Sequence, residues 1–174
     1  MLITALAAAL VGLLAAGIGC FALVTSSRDA PGPTECDGDT CIPTLRAAPV
    51  VAALKSQGHE CRIDGDGWVC DLDIGDVHYE LEVGITSEDQ IYEVRAEVTK
   101  PEDAQLSAQS LNYLVWAASL PFGDDKPTMS EIRSWVTGRA KDNKDSKAKI
   151  SGYEYELDSS NPHTITFTFR GVRS

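Results

Sequence analysis

An α+β fold follows from three observations in the sequence. Between residues 61 and 98, apolar side chains recur at every second position and are broken by two-residue turn signals, the mark of short antiparallel strands. Around residues 111–120 and 132–136 the apolar spacing changes to three and four, the period of helices. Residues 153–157 and 165–169 then return to alternation. The expectation is a two-layer domain with an antiparallel sheet of about six strands. Its order is α-β4-α2-β2, with helices packed on one face, and an N-terminal apolar helix precedes it.

The first four strands can be placed in register. Gly65-Asp66 is a favoured two-residue hairpin connection. It sets Ile63 opposite Trp68 and Cys61 opposite Cys70. The cysteines then form a non-hydrogen-bonded pair, with Cα atoms about 4.5 Å apart, which suits a disulfide. Gly75-Asp76 repeats the device and puts Leu72 opposite Tyr79 and Cys70 opposite Leu81. Trp68, Cys70, Leu72, Tyr79, Leu81 and Val83 thus share one face, and Tyr92, Val94, Ala96 and Val98 are expected to continue it. Slipping the register by one residue turns all of them outward, so the pattern specifies the pairing.

The remaining elements supply the covering layer. Residues 49–57 read as a short helix, with Pro49 in its first turn and Gly58 as its stop. A longer helix is expected to open at Pro101, with Glu102 and Asp103 in its first turn, and to end at Pro121. Thr128 and Glu131 have the spacing of a capping box for a third helix carrying Ile132, Trp135 and Val136. Residues 141–149, with Lys141, Lys144, Lys147 and Lys149, read as a solvated loop, the one basic run on an acidic chain. It could pair with a neighbour's acidic face. The closing hairpin alternates Tyr153, Tyr155 and Leu157, then Ile165, Phe167 and Phe169, and extends the same sheet.

Residues 2–24 carry no charge, a run long enough to cross a bilayer as a helix. The basic n-region and the small-residue cleavage site of a signal peptide are both missing, which favours a retained anchor over cleavage and secretion. Gly17 stands where a bacterial lipoprotein signal has a Leu-like residue, and apolar residues follow Cys20, so lipidation is disfavoured. The division is 1–25, a transmembrane anchor or uncleaved signal segment; 26–44, a tether with a small Cys loop; and 45–174, an extracytoplasmic domain. With Cys61 assigned to Cys70, Cys36 and Cys41 are left to close that small loop, one of three connectivities open to these residues. Such cysteine usage points to an oxidising compartment. This format resembles small bacterial surface proteins, a likeness that carries no activity.

The 174 residues carry a formal net charge of −11, which argues against nucleic acid as a partner. No catalytic arrangement is complete. His59-Glu60 begins like a zinc-protease motif, but Ile63 stands where the second His belongs. Asp37 and Asp39 alternate as in a calcium loop without its later ligands. One surface stands out. The register puts Asp71, Glu80 and Glu97 in a single row across three strands of the outer face, with Asp73 opposite His78 and Glu82 opposite Arg95. Like charges in opposed positions destabilise a sheet, unless a cation such as Ca2+ or a basic protein partner offsets them. Plain solubility is the blander reading of the same face. The functional expectation is a membrane-anchored or secreted extracytoplasmic binding module using this face. The alternatives are a small-ligand carrier with a pocket between sheet and helices near Trp116 or Trp135, and a surface enzyme whose loop residues the sequence does not assemble.

Overall fold

The computed structural model describes residues 36, 41–86, 89–101 and 104–171. The domain is α+β, with one antiparallel sheet of seven strands and three helices packed against its inner face. In chain order these are α1 (Ala47–Ser56), β1 (Glu60–Asp64), β2 (Gly67–Ile74), β3 (Val77–Ile85), β4 (Ile91–Thr99), α2 (Ala108–Ser119), α3 (Lys126–Arg139), β5 (Ser146–Ile150), β6 (Tyr153–Asp158) and β7 (Thr164–Arg170). The strands lie in the order β1-β2-β3-β4-β7-β6-β5. The closing hairpin therefore joins the sheet at β4, as the shared apolar face requires.

The meander has the expected register. Cys61 lies opposite Cys70, Leu72 opposite Tyr79 and Val83 opposite Val94. Gly65 and Gly75 adopt φ of 58° and 62° at the first central position of each turn. This left-handed backbone favours glycine and matches the twist of the strands the turns join. Cys61 and Cys70 are disulfide-bonded, with Cα atoms 4.0 Å apart.

Four local expectations are corrected. Residues 146–150, read as loop, form the edge strand β5, paired through Ala148–Tyr155 and Ile150–Tyr153. Ser151 and Gly152 both have positive φ, the hairpin geometry that pins it there. The helix expected from Pro101 starts only at Ala108, because the Ser107 hydroxyl caps it by accepting from the Ser110 N–H at 3.0 Å. The third helix starts before Thr128, with Asp125 as its cap and Pro127 in its first turn. Finally, the ladder shifts between Gly84 and Ile85, so that Tyr92 and Glu93 together oppose Gly84. This bulge turns Tyr92 to the outer face. Its ring lies over Gly84, where a Cβ would come within 2.6 Å of it, and Ile91 takes the inner position instead.

The core lies between sheet and helices. α1 covers β1 and β2, α2 covers β4 and β7, and α3 packs on α2 and β5. Leu54, Leu81, Ile91, Leu114, Ile132, Phe167 and Phe169 are fully buried there. Trp116 packs against Tyr113, and Trp135 packs against Tyr155. Residues ahead of α1 are tied to β4 by the Ile42 N–H donating to the Ile91 carbonyl at 2.7 Å.

Candidate functional site

The outer face of β1–β4 is built by alternation. With the apolar residues of each strand turned inward, Asp71, Glu80 and Glu97 project outward from β2, β3 and β4 at directly opposed positions. The structure extends the row by one strand, because Glu60 of β1 stands opposite Asp71. That extension was implicit in the Cys61–Cys70 pairing. The side chains of Asp71, Glu80 and Glu97 are 23%, 22% and 21% exposed, so their carboxyl groups have lost much of their water.

Neighbouring cations are shared unequally among these groups. Arg95 Nη1 donates to Glu82 at 2.7 Å and Nη2 to Glu97 at 2.5 Å, whereas Glu80 lies 3.8 Å from the same guanidinium. Glu97 also accepts from the hydroxyls of Thr166 at 3.2 Å and Thr99 at 3.3 Å. Arg62 pairs with one carboxylate oxygen of Asp71. Glu80 therefore sits among carboxylates with its nearest cation beyond hydrogen-bond distance. Burial, reinforced by Glu82 and then by Asp71 and Glu97, pushes its carboxyl up to about 7.

His78 closes one end of this surface. Its Nδ1 lies 2.7 Å from Asp73, a bond that holds its pKa above the usual value, and its Nε2 lies 3.6 Å from Asp71 Oδ1. One donor atom each from Asp71, His78 and Glu80 can be drawn within 4.8 Å of the others. The acidic row expected from sequence is thus assembled, but its members differ. Glu97 is spent on Arg95 and two threonines, while His78, placed only opposite Asp73 in the sequence, joins Asp71 and Glu80.

At the other end of the face, Asp64, Asp66, Glu82 and Glu93 ring a recess of about 210 Å3 floored by Gly67, Gly84 and Tyr92. The Tyr92 hydroxyl donates to Asp66 at 3.2 Å. A Cβ on Gly67 would lie 2.5 Å from the Val83 carbonyl oxygen, so the recess depends on glycine. The outward turn of Tyr92 by the bulge hid this recess from the alternating pattern.

The inner face carries a second polar group of residues. His59 is buried, its Nδ1–H donates to the Leu54 carbonyl at 3.2 Å, and its ring stacks on Tyr113. Desolvation lowers its pKa and keeps the ring neutral. His59 Nε2 and the Tyr113 hydroxyl have no hydrogen-bond partner among the described residues.

Comparison with protein-family models, curated proteins and solved structures finds no match to this chain. The disulfides Cys36–Cys41 and Cys61–Cys70 point to an extracellular or secreted protein. Among the described residues no helix is long and apolar enough to cross a membrane. The apolar run at 2–24, Cys20, Asp37 and Asp39 lie outside the described residues.

Proposed function

We propose that this chain is an extracytoplasmic binding module, held at a membrane by residues 2–24, whose outer sheet face receives a cationic partner. The observation that supports it is the unbroken row Glu60, Asp71, Glu80 and Glu97, each directly opposite the next. A sheet that needed only solubility gains nothing from placing its acids in one row, and each opposed like pair costs stability. A lysine- or arginine-rich segment laid across β1–β4 would replace that repulsion with attraction and hasten encounter. The acidic recess around Tyr92 offers such a segment an anchoring point.

The test is binding of a labelled lysine-rich peptide to the full-length oxidised chain in detergent, at low and at raised salt. The reading expects saturable binding that weakens steeply with salt and weakens at least several-fold in Glu80→Gln/Glu82→Gln. Absence of binding at low salt, or equal binding by that variant, contradicts it. For the membrane part, alkaline carbonate extraction of cell envelopes should leave the chain in the pellet, and release into the supernatant would remove the anchor.

A further inference from the structure

The outer face holds one place where its acidity is joined by a different donor. We infer that Asp71, His78 and Glu80 form a binding site for a d-block divalent cation of the Zn2+ class. The inference rests on the reading of this face as cation-receiving and narrows it to one ligand chemistry at one end.

Donor type decides the ion. Ca2+ takes six to eight oxygens, and the sequence-derived row Asp71–Glu80–Glu97 offers oxygens alone. Glu97 is already held by Arg95, Thr99 and Thr166, which leaves that row short of ligands. The substitute donor is an imidazole nitrogen, and a mixed imidazole and carboxylate set suits Zn2+ and its neighbours.

Orientation of the donors supports the same ion. Asp73 holds His78 Nδ1 at 2.7 Å from outside the ligand set, which fixes the ring with Nε2 facing Asp71. A carboxylate on the far nitrogen is the usual support of a metal-bound histidine. The Nε2 to Asp71 Oδ1 separation of 3.6 Å is too long for a hydrogen bond. It is close to the roughly 3.3–3.5 Å between two ligand atoms that share a tetrahedral zinc at about 2.0–2.1 Å. Asp71 divides its oxygens, with Oδ2 on Arg62 and Oδ1 turned to His78, so one lone pair set stays available for an ion. Glu80, lacking a cation within hydrogen-bond distance, brings a third donor within 4.8 Å of the other two. Drawn in from its contact with Glu82, it would leave a fourth position for water or for a group on the partner.

The test is a set of thermal melts of the full-length oxidised chain with Zn2+, Ca2+ or Mg2+ at matched ionic strength. With Zn2+ at ten times its dissociation constant the midpoint should rise by about 5 °C, and Ca2+ and Mg2+ should leave it in place. The rise should vanish in His78→Gln and persist in Glu97→Gln. Both positions are on the solvent side, so the variants fold. An equal response to Ca2+, or a zinc response that survives His78→Gln, overturns the site. The lysine-rich peptide is titrated into the same preparations. Peptide binding without a zinc response overturns the metal site and leaves the partner reading standing, whereas loss of both overturns both.

Discussion

Two rows of side chains cross the same outer sheet face, meeting β4 four residues apart at Glu93 and Glu97, and follow opposite rules. One runs Lys149, Glu154, Arg170 and Glu93 across β5, β6, β7 and β4, so that charge alternates at every step. Arg170 hydrogen-bonds Glu93, and two residues further along β5 and β6 Lys147 pairs with Glu156 at 2.5 Å. The other row runs Glu97, Glu80, Asp71 and Glu60 across β4, β3, β2 and β1 without a cation in it. Sheet geometry is the same in both, so the acidic row is a property of the residues placed there. On β1–β4 the cations Arg62 and Arg95 stand in the next row and pair with Asp71, Glu82 and Glu97. Glu80, between Asp71 and Glu97, is thus left with no cation at hydrogen-bond distance, which is the feature the proposed cationic partner would answer.

The inner layer divides in the same place. Beneath β6 and β7, Tyr155, Phe167 and Phe169 form a fully buried aromatic cluster. At the β1 edge the cover is thin, since Ile63 is 68% exposed although it faces inward. There the strand is stapled to its neighbour by Cys61–Cys70. The β6–β7 end is held by packing, and the β1 edge is joined to the packed strand β2 by a covalent link as well.

That contrast can be broken at several points. Phe167→Ala should have the largest effect, about 3–5 kcal/mol of destabilisation from the cavity it leaves, measured by urea unfolding. A cost below about 1 kcal/mol would mean that the aromatic cluster is not what holds β6–β7. Replacing both Cys61 and Cys70 with serine should cost about 2–3 kcal/mol for so short a loop. Hydrogen exchange should then rise first in β1 and β2, and uniform loosening of the sheet would count against a local staple. Gly67→Ala forces a Cβ onto the Val83 backbone, with an expected cost of about 1–3 kcal/mol and distortion of the recess, visible as a shift of the Tyr92 ring signals by NMR. Lys147→Ala should change stability least, by about 0.2–1 kcal/mol, since it removes an exposed pair. A larger loss would show the alternating row to be a structural necessity.

Much of this was legible in the sequence, for identifiable reasons. Gly-Asp turns flanked by alternating residues fix a register, and the register alone puts Asp71 beside Glu80 and Glu97 and sets Cys61 against Cys70. What stayed hidden depended on exceptions to alternation or on side-chain torsions. Tyr92 turns outward because two residues of β4 oppose one of β3, and no period-two reading contains that step. β5 hid inside a lysine run, although Ala148 and Ile150 alternate with Lys147 and Lys149 ahead of a Ser-Gly turn. The choice of Arg95 for Glu82 and Glu97 over Glu80 is a matter of rotamers, as is the turning of His78 toward Asp71. Those torsions decide which carboxylate is left without a cation.

Protonation gives the acidic row a sign that can be measured. Burial, with Glu82, Asp71 and Glu97 close by, pushes the Glu80 carboxyl up to about 7, above its ordinary value of 4.5. The folded state therefore binds this proton more tightly than the unfolded chain. The associated stability is fully present below the ordinary value and is lost as pH rises through about 7. A neutral glutamine at this position keeps the relief at every pH.

The most direct measurement is a pair of melts, wild type against Glu80→Gln, in ligand-free buffer from pH 5 to pH 8. An acidic row maintained for a cationic partner predicts that the variant is the more stable at pH 8, by about 0.2–1 kcal/mol for a relieved like-charge contact. The advantage should shrink toward pH 5, and the same variant should bind the lysine-rich peptide less well. A variant that melts lower at pH 8 would contradict this account, because Glu80 would then be supporting the sheet and not held against its stability for a partner.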